Sequence, residues 1–300
     1  MRKGLLISLA GFIAAIFMAN GFDANAAEKE LRIIAFGAHP DDCEIEVGPC
    51  AYKWAQLGHK VKFVSVTNGD IGHSVIAGGP LALRRTLEAN EAAKILGIET
   101  QVLDIHDGEL MPTLENRKTI IRLIREWNAD IVITNRPNDY HPDHRYTSIL
   151  VQDAAYMVTV PFICPDVQPL KKNPVFLYWP DGFQKPYPFS PDIAVGVDDA
   201  MEPMFKALDC LKSQFHEEGA GGNGDPASFF KGDEKASLEF TKKYFDSWFH
   251  AKPEWKPMLE EFHGKEAAAK IRYAKAYELC EYGRIPNKEE LKQLFPFFSK

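Results

Sequence analysis

Cysteine is scarce in this sequence, and its spacing carries no recognisable chemistry. Five cysteines occur in 300 residues, and no two of them form a C-x-x-C pair. A thiolate zinc site and a thioredoxin-like redox centre are therefore not supported. The cysteine number is odd and the chain is long enough to bury a large core, so a disulfide framework is not needed either. We interpret most of the cysteines as small buried hydrophobic residues.

Positive charge and nucleotide-binding glycine motifs are also lacking. The formal net charge of -7 argues against nucleic acid as a partner, because binding a phosphate backbone requires a basic surface. No G-x-G-x-x-G fingerprint follows the first predicted strand, so a dinucleotide-dependent oxidoreductase is not supported. The glycine-rich stretch at 219–224 lacks the Lys-Ser/Thr pair of a phosphate-binding loop.

No apolar run is long enough to cross a bilayer comfortably. The run at 5–19 is shorter than the roughly 20 apolar residues that a spanning helix needs. It follows Arg2 and Lys3, and the small residues A-N-A at 24–26 suit a signal peptidase. We therefore predict that residues 1–26 are a secretory signal peptide, that the mature protein is periplasmic or secreted, and that it has no stable membrane span. A retained anchor helix is the alternative.

The remainder has the composition of a soluble globular protein and a regular alternation of segments. From residue 31 onward, apolar runs of strand length alternate with longer amphipathic segments. This alternation predicts an α/β fold with a mostly parallel sheet flanked by helices. The predicted strands are 31–38, 61–67, 101–105, 130–134, 175–179 and 192–197. The predicted helices are 47–57, 80–96 and 116–128.

The character of the chain changes after Gln214. Residues 218–225 are rich in glycine, and the remainder is aromatic, charged and helix-rich in pattern. We therefore divide the mature chain into a core at 27–214 and a helix-rich C-terminal extension at 215–300. The extension is either a helical cap on the core or a small second lobe.

Two polar segments follow predicted strands, at the edge where open parallel sheets place their ligand crevices. The segment A-H-P-D-D at 38–42 follows the first strand, and D-Y-H-P-D-H at 139–144 follows the strand at 130–134. Each contains a proline that restricts its backbone. A single H-P-D loop is often only a turn or a helix cap, but two in equivalent places favour a shared metal site.

The residue types in these two segments match the needs of a catalytic metal. Such a metal takes three nitrogen or oxygen ligands and keeps one position open for water. His39, Asp42 and His144 supply such a set if the segments meet. Asp41 would then be free to take a proton from bound water, and His141 could polarise or protonate the reacting group. The set suits Zn²⁺, and Fe²⁺ is the chemical alternative.

The ordered motifs resemble those of the LmbE-like, or PIG-L, family of zinc-dependent N-deacetylases. The resemblance covers about residues 31 to 214. It rests on AHPDD at 38–42, TNGD at 67–70, Arg85-x-x-Glu88, DGEL at 107–110, HPDH at 141–144 and the stretch 206–214.

The resemblance implies a role for each matching residue. It implies a Rossmann-like α/β fold and a zinc ion held by His39, Asp42 and His144. Asp41 becomes the general base, and His141 the residue that stabilises the oxyanion or protonates the leaving amine. Further residues are assigned to substrate binding: Arg85, Tyr140 and Asp143.

We therefore expect a metal-dependent deacetylase that removes the N-acetyl group from an N-acetylglucosamine-type conjugate, by metal-activated water with an aspartate base. One alternative is an exported zinc hydrolase of another amide. Another is a metal-binding or carbohydrate-binding protein without turnover. Asp41 discriminates between these classes, because a binding protein needs the ligands but not the base.

Overall fold

The computed structural model describes residues 29–217 and 232–298. The predicted signal peptide and the glycine-rich stretch at 219–224 therefore lie outside the described residues. The strands are β1 (Arg32–Gly37), β2 (Lys60–Ser65), β3 (Glu99–Val102), β4 (Ile131–Thr134), β5 (Val175–Tyr178), β6 (Ile193–Gly196) and β7 (Ala274–Cys280). They form one sheet in the order β3-β2-β1-β4-β5-β7-β6.

Every strand of this sheet is parallel to its neighbours except β7, which is antiparallel to both β5 and β6. The predicted, mostly parallel sheet is thus confirmed. β1 pairs with β2 on one side and with β4 on the other, so the order in which strands are added reverses at β1. Such a reversal opens a crevice at the carboxyl ends of the two strands, between the loops that follow them.

Helices cover both faces of the sheet. They are α1 (Asp42–Gln56), α2 (Gly79–Leu96), α3 (Leu114–Trp127), α4 (Pro142–Met157), α5 (Met201–Asp209), α6 (Lys212–Phe215), α7 (Glu234–Phe245), α8 (Lys256–His263), α9 (Lys265–Ala268) and α10 (Lys288–Leu294). Short 3₁₀ helices occur at Asp198–Ala200, Asp246–Phe249 and Pro253–Trp255. Within the described ranges, no helix combines the length and the apolar character that crossing a membrane requires.

Alternation along the strands divides the core between the two faces. Ile33 and Ala35 of β1 pack on the face covered by α1 and α5, whereas Ile34 and Phe36 pack on the face covered by α3 and α4. Because both faces are buried, the central strands are apolar at almost every position. These strands can therefore be predicted from the sequence.

Helix α1 begins earlier than its apolar residues predict. It starts at Asp42 instead of residue 47, and Asp42 and Glu44 lie in its first turn. Carboxylates are favourable at a helix amino terminus, where the backbone N–H groups are unpaired. The A-H-P-D-D segment is therefore the joint between β1 and α1, and its side chains are held by regular structure on both sides.

The C-terminal region contributes a strand to the main sheet, whereas the sequence predicted a helix-rich extension with no strand assigned to it. β7 lies between β5 and β6, and its Tyr277 is buried in the core beside Phe295. The buried Lys275 of β7 forms an ion pair with Glu46 of α1 at 2.8 Å. The predicted division at residue 214 therefore separates segments that share one sheet.

Candidate metal centre

The structure brings the two H-P-D segments together at the end of the sheet. The first links β1 to α1, and the second lies at the amino terminus of α4, directly after the loop that leaves β4. Asp42 Oδ2 accepts hydrogen bonds from the backbone N–H groups of Ala38 at 2.7 Å and His39 at 2.9 Å. The first segment is thereby folded back on itself, with its imidazole and carboxylates directed to the crevice side of the sheet.

The three predicted metal ligands face one another. His39 Nδ1 lies 3.2 Å from His144 Nε2, and Asp42 carboxylate oxygens lie 3.8 Å and 3.5 Å from these two atoms. Ligand atoms placed tetrahedrally at 2.0 to 2.2 Å from one ion would be about 3.3 to 3.6 Å apart. The Asp42 distances involve two different oxygens, Oδ2 for His39 and Oδ1 for His144. One nitrogen each from His39, His141 and His144 lies within 4.8 Å of the others, so this group could hold a metal ion. A second group with the same spacing consists of His39, Asp107, His141 and Asp143.

The other nitrogen of each imidazole lies close to a carboxylate, although the geometry at His39 Nε2 is not that of a well-formed hydrogen bond. His39 Nε2 lies 3.0 Å from Asp107 Oδ1, and His144 Nδ1 lies 3.1 Å from Asp139 Oδ1. Metal-binding histidines usually donate their second N–H in this way, which fixes the tautomer and the ring orientation. Asp107 and Asp139 were not assigned to the site from the sequence, although both lie inside the motifs that identified it.

Electrostatics also favour a cation in this space. Burial lowers the pKa of His39, but hydrogen bonds to Asp107 and Asp143 and the charge of Asp42 outweigh it and raise that pKa to about 10. The pKa of His144 is raised despite burial, through the Asp42 charge and the bond to Asp139. Carboxylates that attract a proton to these rings attract a metal ion equally, so protons and metal compete for the site.

Replacing Asp107 or Asp139 with asparagine is expected to weaken metal binding about 10- to 100-fold. The amide keeps the shape of the side chain but loses the charge that orients and polarises the imidazole. Competition with a chromophoric chelator measures the dissociation constant. The matched control is Asp104→Asn, an exposed carboxylate bonded to Asn68 at 3.3 Å, which should bind metal like the wild type. Unchanged affinity in both test variants would contradict this account of the site.

His141 caps the amino terminus of α4. Its Nδ1 accepts a hydrogen bond from the Asp143 backbone N–H at 3.2 Å, and its ring packs edge-on against His39 with centroids 4.6 Å apart. Burial and the positive charges of His39 and His144 lower the pKa of His141. A nitrogen that accepts a hydrogen bond carries no proton, so the ring is neutral with its proton on Nε2. In this state the ring can donate a hydrogen bond to the reacting group, but it lacks the second proton of an imidazolium.

Asp41 lies beside the three predicted ligands, directly before α1. It is almost fully buried, and burial together with the neighbouring Asp42 charge raises its pKa to about 6. The positive charges of His39, Arg85 and His144 act in the opposite direction. A carboxylate whose pKa lies near neutrality is suited to exchanging protons with a reacting group.

The three residues predicted to bind substrate are found in different surroundings. Tyr140 is 74% exposed and packs edge-on against the His141 and His144 rings, so it can contact a ligand. Asp143 is 0% exposed, and its Oδ2 accepts the Gly108 N–H at 2.7 Å behind the His39 ring. Asp143 is therefore not accessible to a substrate and packs behind the His39 ring.

Arg85 is also buried. Its Nη2 donates to the Gly72 carbonyl at 2.9 Å and to the Gln214 side chain, and its charge acts on Asp41. Burial lowers the pKa of the guanidinium. Nη2 is thus occupied within the protein, whereas the buried Nε has no hydrogen-bond partner among the described residues.

Known proteins resemble this chain in sequence. The profile of the PIG-L family, described as GlcNAc-PI de-N-acetylase, matches residues 34–155, which contain the residues of the centre described above. The diacetylchitobiose deacetylase of Thermococcus kodakarensis is 31% identical over 198 residues, which cover 62% of this chain and 71% of the relative.

Solved structures share the fold. The N,N'-diacetylchitobiose deacetylase from Pyrococcus horikoshii aligns with a TM-score of 0.61 and 23% identity, covering 87% of this chain and 88% of that protein. GalB, the 4-carboxy-2-hydroxymuconate hydratase from Pseudomonas putida, aligns with a TM-score of 0.65 and 16% identity, covering 87% and 99%. Because a hydratase shares the architecture, the fold alone does not identify the reaction.

Proposed function

Since this chain belongs to the PIG-L family of de-N-acetylases, we propose that it is a zinc-dependent hydrolase that removes the N-acetyl group from an N-acetylglucosamine-type conjugate. One observation carries the proposal. His39 Nδ1 and His144 Nε2 lie 3.2 Å apart with an Asp42 oxygen within 3.8 Å of each, and Asp41 lies beside them as an additional carboxylate. A protein that only bound metal would need the first three residues but not the fourth.

The chemistry divides between the cation and the chain. A Zn²⁺ ion held by His39, Asp42 and His144 would supply Lewis acidity to the amide carbonyl and to a bound water. Asp41 accepts the proton that the attacking water loses as its oxygen joins the carbonyl carbon. His141 donates its Nε2–H to the carbonyl oxygen as negative charge develops there.

Completion of the reaction requires a proton on the leaving nitrogen. Asp41 carries the proton taken from water and returns it as the carbon–nitrogen bond breaks, because a carboxylic acid is a stronger acid than the ammonium group that forms. The neutral His141 remains a hydrogen-bond donor throughout. The products are acetate and a free amino sugar, so water is consumed and no other reactant is needed.

We further propose that the protein is exported and loses residues 1–26. The basic pair Arg2 and Lys3, the apolar run at 5–19 and the A-N-A sequence at 24–26 support this proposal. Comparing the amino terminus of the secreted or periplasmic protein with the full sequence checks it. A mature chain that begins at Met1 would contradict cleavage.

Metal content and acetate release together test the proposed function. The chain without residues 1–26 is expected to bind about one Zn²⁺ and to release acetate from N,N'-diacetylchitobiose. His144→Ala should lower metal content to below about one tenth and remove acetate release with it, because one of three ligands is lost. His250→Ala is the matched control. His250 lies outside the candidate metal centre, where its Nε2 is 2.9 Å from Asp246 Oδ2.

Each outcome of this experiment has a distinct meaning. Metal and acetate release that both disappear in His144→Ala support the proposal. Full metal content without acetate release would instead favour hydrolysis of another amide, or a binding protein without turnover. Wild-type metal content in His144→Ala would show that the ligand set is wrong.

A further inference from the structure

A second imidazole–carboxylate pair lies beside the metal centre and has no role in the mechanism above. The loops that follow β2 and β3 run side by side, with the Asn68 N–H donating to the Ile105 carbonyl at 2.9 Å. Asp70 of the first loop accepts the Asp107 N–H at 3.1 Å through Oδ1. Its Oδ2 lies 2.6 Å from His106 Nδ1.

One residue of the His106–Asp70 pair is buried and the other is exposed. Asp70 is 2% exposed, whereas the His106 side chain is 67% exposed. Because Nδ1 donates to the carboxylate, the orientation of the ring is fixed and Nε2 is directed away from Asp70. Within residues 29–217 and 232–298, no hydrogen-bond partner is found for Nε2. The ring is thus held in place with one polar atom available to a ligand.

The position of the pair connects it to the reaction. His106 directly precedes Asp107, whose Oδ1 lies 3.0 Å from His39 Nε2. Ile71, the residue after Asp70, packs so closely over Gly108 that a β-carbon there would lie 3.3 Å from its Cδ1. Ile71 is itself exposed. A polar imidazole and an apolar side chain are therefore both exposed on the neighbouring loops that carry Asp70 and Asp107.

This combination complements a sugar ring, which has apolar C–H faces and a hydroxyl edge. Negative charge surrounds His106, since Asp104 and Glu109 as well as Asp70 act on it and raise its pKa. An anionic aglycone such as a phosphate ester would meet these carboxylates. A neutral, hydroxyl-rich ring meets no such repulsion.

We propose that His106, oriented by Asp70, determines specificity by binding a hydroxyl group of the sugar ring next to the one that carries the reacting N-acetyl group. Ile71 covers the C–H face of that second ring. The proposal rests on the proposed function and adds to it a preference for disaccharides or longer neutral glycans over the free monosaccharide.

Two variants separate ligand binding from a structural role. The asparagine amide occupies the place of imidazole Nδ1, and the glutamine amide reaches the place of Nε2. His106→Asn therefore keeps the bond to Asp70 and loses the outward atom, whereas His106→Gln does the reverse. The measured quantity is the ratio of kcat/KM for N,N'-diacetylchitobiose to kcat/KM for N-acetylglucosamine, with His250→Ala as the unchanged control.

His106→Asn is expected to lower this ratio about tenfold, the effect of losing one hydrogen bond to substrate, and His106→Gln to stay within about threefold of the wild type. The reverse ranking would show that the residue only supports Asp70, and an unchanged ratio in both variants would also overturn the proposal. Calorimetric binding of chitobiose and of glucosamine to the zinc-loaded proteins gives the same ratio without turnover. A wild type that binds the disaccharide through His106 but releases no acetate would refute the proposed reaction alone.

Discussion

Asp41→Asn is expected to lower kcat for acetate release by about a thousandfold, within the range found for loss of a general base. Asparagine has nearly the same shape but accepts no proton from water at neutral pH. Metal content should stay at the wild-type level, because Asp41 is not one of the three proposed ligands His39, Asp42 and His144. Elemental analysis of the purified variant checks this, alongside the rate at saturating diacetylchitobiose.

The pH profile provides an independent readout of the same residue. Asp41 must be ionised to act as a base, and burial with the Asp42 charge raises its pKa to about 6. Activity should therefore rise with pH through a limb at or below pH 6, since a bound cation would move the pKa further down. The residual activity of Asp41→Asn should lack this limb. A variant with kcat within about threefold of the wild type would assign the base to another group.

Ending the chain at Gln214 is expected to prevent folding altogether. This deletion removes β7 from between β5 and β6, together with four fully buried aromatic residues: Phe245, Phe249, Tyr277 and Phe295. Loss of each such side chain costs about 3 to 5 kcal/mol, whereas a whole domain is stable by only about 5 to 15 kcal/mol. The fragment should show no cooperative thermal transition and bind no zinc.

The comparison for this experiment is residues 27–300 prepared in the same way, which should unfold in one transition. Circular dichroism and metal analysis measure both proteins. A fragment of residues 27–214 that melts cooperatively and binds zinc would show that the predicted boundary separates independent units. It would also show that residues 27–214 fold without β7.

The fold was predictable where local pattern and burial agree. β1 and β4 are nearly continuous apolar runs and β2 is an apolar run interrupted by Lys62, and the structure places all three within one or two residues of their predicted bounds. β7 was missed because its sequence, AKAYELC, contains Ala, Lys and Glu, which favour helices. Its Lys275 is buried only because Glu46 of α1 pairs with it, and that distant partner is invisible to local pattern.

The site was predictable where chemistry dictates residue type. The structure brings together His39, Asp42 and His144, because adjacent parallel strands deliver their following loops to one edge. The sequence could not show which of these side chains are buried. Asp143 is in the same motif as His141, yet only the packing of Gly108 over it shows that its carboxylate is buried.

The insertion of β7 also sets the order in which this protein can fold. β7 is made about a hundred residues after β5, its neighbour in the sheet, whereas β1, β2 and β4 are all made early. A growing chain can therefore assemble the metal-site half while the edge of β5 has no partner. Unpaired strand edges promote association between chains. Aggregation should accordingly be greatest for chains that have passed β5 but not yet β7, and it depends on strand order more than on final stability.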